Sequence, residues 1–557
     1  MNLKLCAAAV LTLVLAACSE KSPSAKIETR WGADTLSVSV SGQAYIFVGS
    51  SSEAREDWIR PLSGDTLIIN RMGMNDPDYG GGIPCAVVWT GKECVALGSL
   101  SPVPLDIAIP IERKGDTVRI WIDPLQAEMP EEFIYHGSGD CFAALRAYSE
   151  ALAERGVIPA STESAALEPQ WCAWGYGRTC TKQELLGTLP KVKEFGIPWV
   201  TLDDGFQVCE GDWSLNPEFY PGGDAEMRAM VDSIHAAGFK ASIWWAPLAA
   251  DPGCKFLLEH PDTPQLDADG KPYVISYWDS WYLSPTHPAV LEETRRLVHV
   301  FMEDWGFDGF KLDGQHLNCV NPDYAPGHHP DDPWYDARHL PEFFRLIYEE
   351  ARSINPNAVV QLCPCGDVFS VYNLPYVNQT VSSDPTSSYQ VRTKAYILKA
   401  LAPGTAYYGD HVELTTGGRD FASQLAVGAV PGTKFTWPSF NKKTGRRSLL
   451  TPDKENLWSK AFEICASEKL PEATLLGGLY DLGFDKPETY VLSRENVLYY
   501  SLFAEEFDGE FTFRGLGKGN YSVVDLWTGE LLGNVSAKAP TVHLIFKGYK
   551  QLKLEKI

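Results

Sequence analysis

The sequence predicts an α/β protein built on a (β/α)8 TIM barrel, with an N-terminal β-sandwich before it and a small C-terminal antiparallel β-sandwich after it. Three observations predict this. Over residues 166–473 eight short apolar runs alternate with amphipathic segments, the rhythm of parallel β/α units. On either side the rhythm changes to short alternating, β-branched runs separated by Gly, Pro, Asn and Asp. A chain of 557 residues is too long for one ordinary domain and long enough for one large core with satellites.

In chain order, residues 1–17 read as a lipoprotein signal peptide. Lys4 supplies the positive end, and Ala7 to Ala17 is apolar but too short to anchor stably across a bilayer. Leu15-Ala16-Ala17-Cys18 resembles a bacterial lipobox, in which small residues fit the peptidase cleft and the Cys thiol is lipidated. Cys18 is therefore the expected lipid attachment site. The mature chain is expected to be an exported bacterial lipoprotein, periplasmic or at the cell surface, anchored to a membrane rather than spanning it. Residues 18–26 are polar and read as a tether. Residues 27–165 form the N-terminal sandwich, with strands such as Thr35–Val40, Ala44–Val48 and Thr117–Ile122, and end near a helical stretch at Phe142–Glu154. Barrel strands are expected at Trp171–Trp174, Trp199–Leu202, Ala241–Trp245, Gly309–Leu312, Val359–Leu362, Gln379–Ser382, Thr405–Tyr408 and Gly432–Thr436, with helical crossovers between them. Residues 474–557 return to strands, among them Thr489–Leu492, Val497–Tyr500, Tyr521–Val524 and Val542–Ile545.

Composition narrows the function. A formal net charge of −24 repels phosphate backbones, so nucleic acid is not an expected partner. Aromatic residues reach 12%, and some of the 17 Trp are expected to stack on the apolar faces of sugar rings rather than fill the core. Of 13 Cys, Cys6 leaves with the signal and Cys18 would carry lipid. The odd number left cannot all pair; Cys85 with Cys94, or Cys172 with Cys180, could bridge locally. Cys363-Pro364-Cys365 has no partner pair at zinc-site spacing, so no metal site is read there.

Acidic residues cluster just after the expected strands. Strand two ends in Leu202-Asp203-Asp204-Gly205, strand four in Lys311-Leu312-Asp313, strand six in Ser383-Asp384, and strand seven is followed by Gly409-Asp410-His411. One such carboxylate could simply cap the next helix. A set of them on the rim where TIM barrels do chemistry suits glycoside cleavage by two carboxylates, one attacking the anomeric carbon and one handling the proton. Lys311 lies two residues before Asp313 and so shares its strand face, where a cation favours the anionic nucleophile.

These motifs, in this order, resemble the melibiase-type α-galactosidases of glycoside hydrolase family 36, in the clan shared with family 27. Leu202-Asp203-Asp204-Gly205-Phe206 is similar to the family's L-D-D-G-W, Gly211-Asp212-Trp213-Ser214-Leu215-Asn216 to its G-D-W-x-x-N, and Phe310-Lys311-Leu312-Asp313 to the K-x-D nucleophile motif. Ser383-Asp384 resembles the S-D of the acid/base motif, and Tyr408-Gly409-Asp410-His411-Val412 the G-x-H-V segment. The resemblance implies a retaining, exo-acting α-galactosidase with Asp313 as nucleophile and Asp384 as general acid/base. It implies that Asp203 and Asp204 accept hydrogen bonds from O4 and O6 of the terminal sugar, that Lys311 contacts the same sugar, and that Cys363 lies near its 2-position. Trp213 and Trp245 would help wall the subsite. The sequence departs from the family in Trp244-Trp245-Ala246-Pro247 for W-x-E-P, Cys363-Pro364-Cys365-Gly366 for C-S-G-G-G, Pro385 for the usual Asn, and Trp278 and Trp281 where an arginine is common. Those departures lie in the pocket wall and leave open another terminal sugar, such as an α-N-acetylgalactosaminide, or a non-catalytic sugar-binding relative. Two carboxylates suffice for the chemistry, so no metal or organic cofactor is implied; the expected partner is an α-galactoside oligo- or polysaccharide.

Overall fold

A computed structural model describes residues 26–30, 33–50, 57–69, 71, 82–125, 128–318, 321–411, 413, 418–438 and 448–557. The signal peptide, Cys18 and most of the tether lie outside the described residues. Among the described residues, no helix is long and apolar enough to cross a membrane.

The N-terminal sandwich packs two five-stranded antiparallel sheets face to face. Leu36, Val38, Ile111, Val118 and Ile120 of one sheet meet Ala44, Ile46, Val88, Val95 and Leu97 of the other in one apolar cluster. Strands Cys85–Trp89 and Cys94–Ser99 are buried at every residue. The cause is a second covering layer: helix Cys141–Ala153 lies against their other face, which turns an alternating pattern into a continuous apolar one. Asp140 caps that helix by accepting from the Phe142 amide (3.0 Å). The same carboxylate accepts from the Tyr396 hydroxyl of a barrel helix (2.9 Å) and from the Leu482 amide of the C-terminal region (3.0 Å). Burial pushes its pKa up to about 6.

The barrel strands are Gln170–Cys172, Trp199–Leu202, Lys240–Trp245, Gly309–Asp313, Val359–Cys363, Gln379–Val381, Ala406–Tyr408 and Gly432–Thr433, numbered one to eight below. Neighbours pair in parallel, strand eight pairs with strand one, and a parallel Tyr408–Val430 bridge closes the ring. Each expected strand is present to within a few residues. One crossover differs from expectation: strands five and six are joined by the 3-10 turn Val371–Tyr376 instead of an α-helix.

The barrel floor is neutral. Gln379 Oε1 accepts from the Gln170 and Gln361 side-chain amides (2.8 and 2.5 Å), and its own amide donates to the Ala166 carbonyl (2.6 Å). Below it the turn Ser164–Leu167 plugs the opening, held by the Trp199 indole N–H on the Ala165 carbonyl (2.9 Å).

The C-terminal region is a single six-stranded antiparallel sheet. Its two 16-residue strands, Val497–Thr512 and Thr541–Lys556, run side by side, with a register shift between Ala504 and Glu506. Residues from both ends of these strands, such as Tyr500 and Phe511 or Leu544 and Leu552, share one apolar cluster, so the sandwich-like core comes from one sheet. None of the ten described cysteines is bridged, Cys85, Cys94, Cys172 and Cys180 included.

Candidate active site

At the C-terminal rim of the barrel the strand pleat aims alternate residues inward. In strand four this brings Lys311 and Asp313 to one face. The Lys311 ammonium is 2.8 Å from Asp203 Oδ2 and 3.7 Å from Asp313 Oδ2, and the Cys172 thiol donates to the same Asp203 oxygen (3.0 Å). Burial pushes the Asp203 carboxyl up, but the Lys311 ammonium, His411 and the Cys172 thiol together outweigh it and the net shift is downward. The same attraction, with that of Asp313, more than offsets burial at Lys311, whose pKa is raised. Asp204 turns to a different partner set. Arg178 Nε donates to it at 2.8 Å and to Glu210 through Nη2 at 2.5 Å, and Gln207 donates at 2.8 Å. Burial pushes Asp204 up and takes Glu210 to about 7. Gly205 makes this possible: at φ 119° its missing Cβ would stand 2.1 Å from the Arg178 carbonyl, so the loop after strand one closes over strand two only on a glycine.

Asp313 Oδ2 accepts from the Trp244 indole N–H (2.7 Å), and Oδ1 accepts from the Cys365 thiol (2.7 Å). Asp384 stands on a strained turn, with Ser383 and Asp384 both left-handed at φ 58° and 40°. Such backbone costs on the order of 1–2 kcal/mol per non-glycine residue and persists only when its surroundings hold it. The Asp384 side chain is exposed within the cavity. Surrounding protein first, then the Asp410 and Asp313 carboxylates, push its carboxyl up. The resulting cavity, about 520 Å³, is lined by Asp203, Asp204, Lys311, Asp313 and Asp384 on its polar side, with Trp174, Trp244, Tyr277 and Trp278 as aromatic walls. Anions poised around a space the size of a sugar, between apolar rings, can hold hydroxyl donors and act on the bond between them.

No family model matches the chain. The A type blood α-D-galactosamine galactosaminidase of Flavonifractor plautii is 29% identical over 448 residues, which cover 77% of this chain and 40% of that protein. The chain thus corresponds to about two fifths of that relative's length. The solved α-galactosidase AgaA of Geobacillus stearothermophilus, of glycoside hydrolase family 36, superposes with a TM-score of 0.70 over 94% of this chain and 76% of its own, at 13% identity. The chain has the family 36 fold. The galactosidase domain of AgaSK gives a TM-score of 0.68 over 95% of this chain and 77% of its own, at 15% identity. TtGalA of Thermus thermophilus, solved with stachyose, gives 0.54 over 79% of this chain and 99% of its own, at 17%.

Within this family 36 fold, five of the residues singled out in the sequence share the cavity: Asp203, Asp204, Lys311, Asp313 and Asp384. Three do not line it. Trp245 is one residue out of phase with Trp244 in strand three, so it faces the helix layer, against Trp213, Phe301 and Phe310. Trp213 stands behind Trp244, ring centroids 6.0 Å apart, and props it rather than touching the cavity. Cys363 packs inside the barrel with Trp199, Val359 and Tyr408, while Cys365, two residues on, reaches the cavity. Trp244 and Cys365, which both bond Asp313, are therefore lining residues to which the sequence reading gave no role of their own, as are Trp174, Tyr277, Gln315 and Lys434. The two-residue strand period would have chosen Trp244 over Trp245, whereas Cys365 lies past the strand end, where no periodicity applies.

Among the described residues, two groups place metal-ligand atoms within 4.8 Å of one another: Asp313, Cys363 and Cys365, and Asp323, His328 and Asp336. In the first, burial and hydrogen bonding keep the Cys365 proton on sulfur, and the Lys311 ammonium sits beside the carboxylate. In the second, both His328 ring nitrogens are engaged, by Asp323 and by the Asp262 carbonyl. Both are satisfied as hydrogen-bond clusters, and the second joins the loops after strands three and four.

Proposed function

We propose that the protein is a retaining, exo-acting α-galactoside hydrolase. The observation that carries this reading is one cavity lined by Asp313 and Asp384 together with Asp203, Asp204 and Lys311. Asp313 attacks the anomeric carbon from one face while Asp384 protonates the departing glycosidic oxygen. This breaks the C–O bond and forms a glycosyl ester on Asp313. Asp384, now a carboxylate, takes a proton from water, whose oxygen displaces Asp313 and restores the original anomeric configuration. The upward shift of the Asp384 carboxyl, from its protein surroundings and the Asp410 and Asp313 carboxylates, is in the direction a general acid needs. Asp203 and Asp204 act as charged acceptors for two hydroxyls of the terminal ring. The test is proton NMR of the first product released from an aryl α-galactoside. The α-anomer should form first; β-galactose, or no turnover, overturns the reading.

A second reading is favoured by the Flavonifractor plautii relative, whose substrate is an α-D-galactosamine. With Asp384 carrying its proton, the carboxylates of Asp203, Asp204 and Asp313 still outnumber the Lys311 and Lys434 ammonium groups that line the cavity, which suits a 2-ammonium sugar. Comparing kcat/KM on aryl α-galactoside, α-N-acetylgalactosaminide and α-galactosaminide separates these sugars. We further propose that Cys18 carries lipid and tethers the enzyme to a bacterial membrane at the periplasmic or outer face. The lipobox-like segment supports this, and loss of labelled-palmitate incorporation and membrane fractionation in Cys18→Ala is the expected result.

A further inference from the structure

Strand six ends on a peptide group held at both ends by buried charges. The Ser383 carbonyl accepts from the Lys394 ammonium at 2.8 Å, and the amide N–H of the same peptide unit, that of Asp384, donates to Asp410 Oδ2 at 2.7 Å. Lys394 and Asp410 are both fully buried, come from different barrel segments, and touch no sugar-facing space. Lys394 lies in helix Ser388–Leu401, with its ammonium over the Trp58 ring (4.9 Å) and a second, longer bond to the Gly366 carbonyl (3.3 Å). Asp410 follows strand seven, is itself left-handed at φ 70°, and through Oδ1 accepts from the His411 amide N–H (2.7 Å), with the His411 ring Nδ1 2.8 Å from the same oxygen. A buried ammonium and a buried carboxylate are costly unless they meet strong partners. Here each directs a short bond to one side of the same peptide, Lys394 at 2.8 Å and Asp410 at 2.7 Å.

We propose that Lys394 and Asp410 form a charged clamp on the Ser383–Asp384 peptide, and that as positioning residues they hold the left-handed turn that aims Asp384 at the glycosidic oxygen and set its proton affinity from opposite sides. This rests on the reading of Asp384 as the acid/base. The clamp explains how two consecutive non-glycine residues stay left-handed, because turning the peptide over would break both charged hydrogen bonds at once. It also places one negative and one positive group beside the acid. The titratable and charged groups around Asp384 are Asp410, Asp313, His411, Lys311, Lys394, Cys363 and Cys365. Asp410 and Asp313 push its pKa up; His411 and Lys311 pull it down, as Lys394 does by reciprocity. Burial lowers the Lys394 pKa to about 8, so the clamp is charged at neutral pH and slackens above it.

The test is the pH profile of kcat/KM for Asp410→Asn and Lys394→Met, each on a poor alkyl leaving group and on an activated aryl one. Asp410→Asn should move the alkaline limb to lower pH by about one unit, because a negative neighbour is gone. Lys394→Met should move it to higher pH, because a positive one is gone. Both should lose on the order of 10²-fold on the poor leaving group and far less on the activated one, since only the former needs the proton. Alkaline limbs that stay put, or move the same way, overturn the clamp, as do equal losses on both substrates. Lys394→Gln, which keeps a donor but no charge, should recover part of the activity on the poor leaving group; if either primary variant does not fold, this variant and its pH limb decide. Asp384→Ala is the control. If it loses equally on both substrates, the acid/base reading itself fails. If it shows the leaving-group signature and the clamp variants do not, only the clamp fails.

Discussion

The two ends of the barrel solve the same packing problem with opposite chemistry. At the floor, three glutamine side chains satisfy one another and the Ala166 carbonyl, with no formal charge and no need of one. At the rim, the same strands present Asp203, Lys311, Asp313 and Asp384 around a cavity, with Ser383, Asp384 and Asp410 all in left-handed backbone. The floor is optimised for being closed; the rim holds charge and strain that only a bound substrate or a precise loop makes useful. Changes at the rim should therefore cost turnover, and changes at the floor should cost stability.

The largest expected effect is at the rim. Asp313→Asn should lower kcat on the order of 10⁴-fold while leaving the urea midpoint nearly unchanged; a variant as active as wild type, with deamidation excluded by mass, breaks the contrast. Lys311→Met lies where the two costs meet. It leaves buried Asp203 without its ammonium and should destabilise by about 3–5 kcal/mol in addition to reducing activity. Its pH dependence has a definite sign. Asp203 has a lowered folded pKa, so the pair's stability is present above the unfolded carboxyl range near about 4 and is lost as pH falls through the lower folded value. Wild type should lose more stability than Lys311→Met on acidification below about pH 4, as read from urea midpoints across pH.

The smaller effects sharpen the comparison. Trp244→Phe removes the indole donor to Asp313 and should reduce kcat about 10- to 100-fold, whereas Trp245→Phe, one residue away, should leave kcat within about twofold. Among the described residues the Trp245 indole N–H has no partner, so its removal strands nothing. Similar losses in both would show that the pleat does not separate their roles. At the floor, Gln379→Leu should destabilise by about 1–3 kcal/mol by leaving the Gln170 amide without its acceptor, while the Gln361 amide keeps Gln170 Oε1 (3.2 Å), with kcat unchanged.

The barrel was legible because eight apolar runs at regular spacing have few other ways to bury themselves, and carboxylates just past them fall on one rim by geometry. The same logic found Lys311 with Asp313. It failed where the choice depended on phase or on loop path. Trp244 and Trp245 are chemically identical in the sequence, and only the pleat sorts them. Trp213 looks like a sugar platform but props Trp244 from behind. Cys363 ends a strand and faces inward, while Cys365 owes its place to a loop with a left-handed residue at φ 45°. The turn Val371–Tyr376 stands where a helix is expected, and Pro375 inside it supplies no backbone donor for a helical ladder. The partners of Asp384 were illegible for another reason: a peptide's two neighbours come from a helix and a loop far along the chain, and no local pattern announces them.

Asp140 joins, through a single carboxyl group, the sandwich-side helix, a barrel helix and the C-terminal region. Fragments cut at the apparent seams would each inherit an orphaned donor or acceptor at this junction, so the three parts should melt together in one transition rather than in steps. Because its folded pKa is raised, the junction contributes most in mild acid and weakens as pH climbs from about 4 through about 6. Acid would thus tighten this one junction between the three parts while it loosens the Lys311–Asp203 pair at the rim.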